Sequence, residues 1–374
     1  MKICFIVNEC NFFYSHRFEL AKKLASFAEI FLITDIENTN QKVINKVSNS
    51  GINIHPVQRR TSRKGISGLI LYFFNILNAT RKIQPSAIFF VTLEISLIGV
   101  MVSWFTRKTR SFYLITGFGP FLFKKNLKNR LLYLVHKIVF FSIKNKQNSQ
   151  FIFQNLEDKN IFIQKRFSSE KNSFLIHGSG INEKDIKYSQ RDSSKPLCFL
   201  FSSRLVKAKG IKEYLEAGKI IKDIYPEVSI NIAGKYDKTD PDTISKKLFI
   251  EIQNSDSVNY LGDIDHDDIQ GYYLNSDIFV LPSYGEGLPK SALEAAASGM
   301  PLILSNASGC KECLIENENG LLIEMKNVES LKLAMESMIL NPKKIPAMSL
   351  ASRQLIKEKF SIDEIAYSYK NLIC

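Results

Sequence analysis

Residues 277–305 read DIFVLPSYGEGLPKSALEAAASGMPLILS, and the fold follows from how this stretch is parsed. Ile278 to Leu281 is a short apolar run, the signature of a strand covered on both faces. Pro282 ends it, and Tyr284 to Gly287 is a turn-rich loop. Lys290 to Ser298 is rich in Ala and Leu with no breaker, so it predicts a helix. Gly299 stops that helix and Pro301 forbids its continuation. Leu302 to Leu304 is the next buried strand. The result is one strand–loop–helix–strand unit of a parallel sheet. Its loop lies at the carboxyl end of a strand, where open α/β sheets bind ligands.

Two carboxylates stand in this unit, Glu286 in the loop and Glu294 eight residues later in the helix. With the helix starting at Leu288 or Pro289, Glu294 lies roughly 8 Å along its axis at 1.5 Å per residue. That spacing lets one acid meet the sugar end of a nucleotide-sugar and the other its ribose, since an ionised carboxylate accepts paired hydroxyl hydrogen bonds. Loop amides and the helix N-terminus favour a diphosphate between them. Two glutamates at such a spacing are by default a loop charge and a solvated helix residue. The flanking Gly-Glu-Gly-Leu-Pro and Glu-Ala-Ala-Ala-Ser-Gly-Met-Pro overturn that default. The string Glu286-x7-Glu294 inside PSYGEGLPKSALEAAASGMP resembles the signature of the retaining, two-Rossmann (GT-B) glycosyltransferases of family 4. The resemblance implies that Glu286 contacts the donor sugar near the reacting carbon, that Gly287, Leu288 and Pro289 line the donor, and that Glu294 holds the ribose.

Composition sets the frame. The chain has 374 residues, 45% of them apolar and 23% charged, which suits two globular domains rather than one or a disordered chain. Residues 51–150 carry sixteen Lys or Arg and one acid, Glu94, a net of +15. Residues 191–374 carry 22 basic and 26 acidic residues, a net of −4. An anionic partner is therefore expected for the first half only. The six cysteines are scattered and show no disulfide framework. Cys310 and Cys313 form a lone CxxC without a second ligand pair, expected to line a turn and short helix beside the site rather than to hold zinc. The amino terminus is too short in apolar residues for a secretory signal, and no uncharged run reaches the ~18 residues that span a bilayer. The expectation is a cytoplasmic protein.

The first half alternates strands and helices: strands Lys2–Val7, Ile30–Thr34, Ile52–His55, Ala87–Thr92 and Ser111–Ile115, with helices about Ser15–Phe27, Ile66–Ile83 and Ile95–Thr106. Such alternation predicts a doubly wound parallel sheet. The first strand is followed by Asn8 to Tyr14 instead of GxGxxG, so no dinucleotide site is expected. Tyr14, His16 and Arg17 are candidates to face an acceptor, although a histidine at a helix start is commonly structural. Thr116-Gly-Phe-Gly119 ends the fifth strand, where glycines permit close backbone approach. This loop resembles the Gly-Leu-Gly loop of family members that extend polyprenyl-diphosphate-linked sugars, which adds Thr116, Gly117 and Gly119 to the acceptor candidates. It carries no histidine, so the general base stays unassigned.

Lys124, Lys125, Lys128 and Arg130 cluster at one end of an apolar helix, with Phe121, Phe123 and Tyr133 among them. Trp104 to Arg110 and the run Arg59, Arg60, Arg63, Lys64 extend the basic field. Cations beside aromatics suit an anionic membrane surface; without a nucleic-acid motif, nucleic acid is the weaker reading. Strands Phe151–Phe153 and Phe174–Ile176 close the first domain. His177-Gly-Ser-Gly-Ile-Asn182 resembles the family's Gly-x-Gly-Val-Asp element.

In the second half, strand Leu197–Phe201 leads through Ser202-Ser-Arg-Leu-Val-Lys-Ala-Lys-Gly-Ile211 into a helix. Arg204 and Lys209 between a strand and a helix make a diphosphate clamp, the first bidentate and the second a point charge. The string resembles the family's Gly-Arg-Leu…Lys-Gly, with Ser203 in place of the usual glycine. Asp263, Asp265, Asp267 and Asp268 fit a charged helix start better than a metal site.

These readings converge on two Rossmann-like doubly wound parallel-sheet domains facing a cleft (GT-B): residues 1–183, a linker 184–196, residues 197–360, and a tail 361–374 that in the family crosses back onto the first domain. The expected activity is retaining transfer of an N-acetylhexosamine or hexose from a UDP-sugar to a saccharide on a polyprenyl diphosphate, without metal or other cofactor, at the inner face of a bacterial membrane. Glu286, Arg204 and Lys209 would carry the chemistry. The rival readings are a nucleotide-sugar epimerase or phosphorylase on the same plan, and a membrane-peripheral nucleotide-sugar binder without chemistry.

Overall fold

Alternation along the first strand decides how the first unit is layered. Ile3, Phe5 and Val7 enter one core cluster and Cys4 and Ile6 another, all fully buried, as period-two side chains of a doubly covered strand must be. The computed structural model describes the chain apart from residues 59–65, 118–126, 193–195 and 266. It divides into two units, Met1–Gly180 with Ile362–Cys374, and Ile181–Ser361. The basic run 59–64, Phe121, Phe123, Lys124, Lys125 and Gly119 fall outside the described residues, as does the side chain of Lys128.

The first unit runs β1 (Lys2–Glu9), α1 (Cys10–His16), α2 (Phe18–Leu24), β2 (Glu29–Asp35), α3 (Gln41–Asn49), β3 (Asn53–Pro56), α4 (Ile66–Ile83), β4 (Ala87–Val91) and α5 (Leu93–Phe105). It continues with β5 (Arg110–Ile115), α6 (Leu127–Phe141), β6 (Ser149–Phe153), α7 (Leu156–Gln164) and β7 (Ser173–Leu175). The strands form a parallel sheet in the order β3-β2-β1-β4-β5-β6-β7. Strand order reverses between β1 and β4, the topological switch point of a doubly wound sheet. Residues of α4, α5 and α6 pack in the cluster on one face, while those of α1, α2 and α3 pack on the other.

Two local expectations change. Helix begins at Cys10, inside the segment read as a loop, because Cys10 and Phe13 lie one turn apart and are both fully buried. It breaks at Arg17, which leaves the helical region with φ −130° before α2 starts.

The second unit runs β8 (Cys198–Ser202), α8 (Ile211–Ile224), β9 (Ser229–Ala233), α9 (Lys246–Gln253), β10 (Asn259–Gly262), α10 (Ile269–Leu274), β11 (Ile278–Leu281) and α11 (Lys290–Ala297). Then follow β12 (Leu302–Ser305), β13 (Gly320–Ile323), α12 (Val328–Leu340) and α13 (Ile345–Leu355). Its parallel sheet has the order β10-β9-β8-β11-β12-β13, with the reversal between β8 and β11. Asp268 caps α10. Cys310 and Cys313 flank a single 3-10 turn, both buried and both free thiols.

The expected linker 184–196 is not a free connection. The boundary falls after Gly180, and the following segment is part of the second unit. Ile186 joins that unit's core. Buried Arg191 donates through Nη2 to Tyr273 O at 2.6 Å and through Nη1 to Ser189 O at 2.8 Å. Arg353 donates to Glu183 O at 2.7 Å. Arginines that satisfy backbone carbonyls give a polar segment a packed position that its hydropathy does not announce.

The last helix, α14 (Ile362–Ile373), belongs to the first unit. Tyr369 lies edge-on to Phe89 with centroids 5.5 Å apart, and Arg110 Nη2 donates to Leu372 O at 2.7 Å. Truncating Tyr369 (1% exposed) in Tyr369→Ala leaves a cavity of aromatic size and is expected to cost about 3–5 kcal/mol. Urea denaturation followed by circular dichroism checks this; a loss below about 1 kcal/mol, the scale of an ordinary surface change, contradicts the placement.

Candidate functional site

In the second unit, β8 and β11 are neighbours, so the loops at their carboxyl ends lie side by side. The loop after β8 runs through Arg204 and a 3-10 turn, Lys207–Lys209, before Gly210 starts α8. The loop after β11 carries Ser283, Tyr284, Glu286 and Gly287 into α11. Two hydrogen bonds strap the loops together and a third ties the second loop to α8. Tyr284 N donates to Ala208 O at 2.8 Å, Ser283 Oγ to Ala208 O at 3.0 Å, and the Tyr284 hydroxyl to Glu213 Oε1 at 2.6 Å. Burial first, and then this carboxylate, push the Tyr284 phenol well above its ordinary range, so it serves as a donor here.

Across this strap Lys209 Nζ is bonded to Glu286 Oε1. The lysine side chain is 18% exposed and the glutamate 12%. A charge so far removed from water needs its partner. The backbone aims the pair as well: Glu286 N donates to Ser308 O at 2.9 Å. Two glycines are required by contact. Gly210 has φ +69°, and a Cβ there would sit 2.1 Å from Pro282 O. Gly309 has φ +75°, and a Cβ there would sit 2.4 Å from Glu286 O and 2.6 Å from Gly287 O.

Glu294 lies on α11 and is paired with Lys290 at 3.1 Å, its side chain 12% exposed. Its charge reaches Tyr273, whose phenol is pushed far up by burial first and by Glu294 second. Cys310 is fully buried; burial first, and then the Glu286 charge, push its thiol up, and Lys209 opposes them.

The structure thus brings Lys209 to Glu286 and sets Glu294 on the helix that follows. Arg204 behaves differently. Its side chain is 68% exposed, and Nη1 donates to Asp240 Oδ2 at 2.8 Å. Asp240 is a site neighbour that sequence reading missed, because nothing local links it to Arg204, 36 positions away. Leu288 is half-buried and Pro289 is the N-cap of α11.

The first-unit candidates are more dispersed in their roles. The Tyr14 hydroxyl accepts from Lys46 Nζ at 3.0 Å. His16 stacks on Phe12 with centroids 4.4 Å apart, and its Nδ1 lies 2.7 Å from Ser15 Oγ. Arg17, read as an acceptor contact, is instead 2% exposed, with Nε and Nη1 unpartnered among the described residues. Burial lowers its pKa, and nearby Tyr369 opposes that; it is a core residue and not a surface one. Thr116 and Gly117 follow β5 and are half-buried. Among the described residues no group of three His, Cys, Asp or Glu gathers in a metal-ligating arrangement.

Comparison with known proteins adds to this geometry. Residues 182–355 match the family of glycosyl transferases group 1. The chain is 27% identical over 350 residues to the N,N'-diacetylbacillosaminyl-diphospho-undecaprenol alpha-1,3-N-acetylgalactosaminyltransferase of Campylobacter jejuni, covering 88% of this chain and 87% of that one. Over 133 residues it is 34% identical to an Escherichia coli UDP-Gal:alpha-D-GlcNAc-diphosphoundecaprenol alpha-1,3-galactosyltransferase, covering 33% of this chain and 34% of that one. Among solved structures, HepE of Anabaena in complex with UDP and glucose aligns with a TM-score of 0.79 at 17% identity, covering 100% of this chain and 99% of that one.

Gly309→Ala is expected to destabilise the second unit by about 1–3 kcal/mol, the cost of a strained left-handed position, because the new methyl meets two carbonyls of the Glu286 loop. A thermal melt checks it, and an unchanged midpoint contradicts the packing described.

Proposed function

Residues 182–355 form a glycosyl transferases group 1 domain on a GT-B plan and the chain is a glycosyltransferase; from that premise we propose that it moves a hexose or N-acetylhexosamine, with retention, from a UDP-sugar to a saccharide on a polyprenyl diphosphate. The observation that carries the donor side is the Lys209–Glu286 contact at the carboxyl ends of β8 and β11. The relatives named for diphospho-undecaprenol substrates support the acceptor class. The UDP in the E. coli relative's name supports the donor class.

In this reading Glu286 holds donor sugar hydroxyls and faces the oxocarbenium-like centre. Lys209 gives one of its three N–H donors to Glu286 and keeps the others for the diphosphate. Arg204 likewise spends one of five donors on Asp240 and turns the rest to the leaving group. Charge building on the departing phosphate is the largest need of such a reaction, and these two cations meet it without a metal. Glu294 takes the ribose, and Gly287, Leu288 and Pro289 line the donor. The anomeric carbon–phosphate oxygen bond breaks and a bond to the acceptor hydroxyl forms on the same face. The acceptor proton passes to the departing phosphate oxygen, leaving UDP and the extended lipid. Tyr14, His16, Thr116, Gly117 and Gly119 contribute on the acceptor side; buried Arg17 does not. The acceptor's lipid tail places the reaction at a membrane surface, the inner face being where nucleotide-sugars are made.

Glu286→Ala and Arg204→Ala are each expected to lower kcat by at least about 10²–10³, the scale of losing one preorganised electrostatic group; melting is unchanged for Arg204→Ala, whose side chain is exposed, and falls without loss of the fold for Glu286→Ala, which strands Lys209. Transfer of radiolabelled sugar to polyprenyl-diphosphate-linked acceptors reads the effect. Near-wild-type turnover in either variant overturns the assignment. Product formed from a UDP-sugar alone would instead identify an epimerase or phosphorylase. A chelator is expected to leave the rate unchanged.

A further inference from the structure

Helices α4, α5 and α6 cover one face of the first unit's sheet, and their inner residues share one core. Their outer surface is not the polar one that such helices normally present to water. On α4, Leu69, Ile70 and Phe74 are 51–54% exposed. At the end of α5, Trp104 is 45% and Phe105 57% exposed. On α6, Ile138 is 65% and Phe141 61% exposed. Phe73 bridges the first two helices, with ring centroids 5.1 Å from Phe74 and 6.0 Å from Phe105. Single exposed apolar residues are ordinary; a run across three adjacent helices marks an interaction surface.

The charge around this face selects its partner. Arg81, Lys82, Arg107, Lys108 and Lys137 are exposed, and none pairs with an acid among the described residues. Arg81 lies 5.9 Å from the Phe105 ring and Lys144 lies 6.0 Å from the Phe141 ring. Lys146 feels the crowding: burial first, and then Arg107, lower its pKa. The one acid of residues 51–150, Glu94, sits in the first turn of α5, far from Trp104 and Phe105 in the last. The second unit also exposes apolar residues, such as Ile220 on α8 and Leu333 on α12. Beside these two residues the cations are paired, Lys219 with Glu251 and Lys332 with Glu329 and Glu336. An apolar face rimmed by unpaired cations fits an anionic lipid surface; a face of paired charges does not. Among the described residues no helix is long and apolar enough to cross a membrane, so the contact lies in the interface plane.

We propose that the outer face of α4, α5 and α6 docks flat on an anionic bilayer, with Phe74, Phe105, Ile138 and Phe141 entering the acyl boundary and Arg81, Arg107, Lys108 and Lys144 meeting lipid phosphates. Long cationic side chains beside ring faces hold the charge at headgroup level while the rings descend.

The chain has one tryptophan, Trp104, and it stands in this face, so its fluorescence reads docking directly. The protein is mixed with vesicles of phosphatidylglycerol and phosphatidylcholine, and separately with phosphatidylcholine alone. Trp104 emission is expected to shift to the blue and to be quenched by brominated acyl chains on the anionic vesicles only, and added salt reverses the shift. Vesicle co-flotation of Ile138→Glu with Phe141→Glu, and of Arg107→Glu with Lys108→Glu, is expected to fall at least tenfold. These positions are exposed or at the rim, and unchanged melting confirms the fold. No blue shift, equal binding to neutral vesicles, or undiminished flotation of either variant overturns the proposal. So does a change of oligomeric state by light scattering with flotation intact, which assigns the face to a second copy. Because no sugar transfer is measured, failure here is separate from failure of the proposed reaction.

Discussion

The contact of Lys209 with Glu286 joins two loops 77 residues apart in sequence, and the second unit's site is arranged around it. The contact exists because β8 and β11 are neighbours at the point where strand order reverses. A parallel sheet sends both loops out of the same edge there, with no element between them. The Tyr284 and Ser283 bonds to Ala208 then fix their spacing. Neither side chain is well solvated, so separation would leave two costly charges.

The strand pattern was largely legible in the sequence, because buried parallel strands are short apolar runs bounded by breakers. Ile278 to Leu281 and Leu302 to Leu304 fall where apolar pattern and breakers place them. Short helices with little apolar surface were not legible. α3 and α9 do carry apolar residues at helical spacing, Val43 with Val47 and Leu248 with Ile252, but each helix has only eight or nine residues and fully buries a single one, Val47 or Ile252, so the stripe spans little more than one turn. Arg17 misled for a related reason: arginine is seldom buried without a partner, and its position beneath α14 depends on a segment 340 or more residues away.

In the site, the acids and cations were legible from loop position, but their partners were not. Lys209 to Glu286 and Arg204 to Asp240 are tertiary pairings, set by strand order rather than spacing. The basic tract shows the same limit in the first unit. Its charge can be counted from residues alone, whereas the outward turn of Phe74, Phe105 and Ile138 emerges only once the inner faces of their helices are packed. Charge is mixed in sign over the second unit and cationic over α4 to α6.

A double-mutant cycle on kcat/KM tests the central pairing most directly, using Lys209→Met, Glu286→Gln and the double variant with a polyprenyl-diphosphate-linked acceptor. If the two side chains act as one unit, each single change costs about 10²–10³, and the double change costs little more than the worse single. Losses that multiply, or a single variant within about twofold of the wild type (well under 1 kcal/mol), would contradict it.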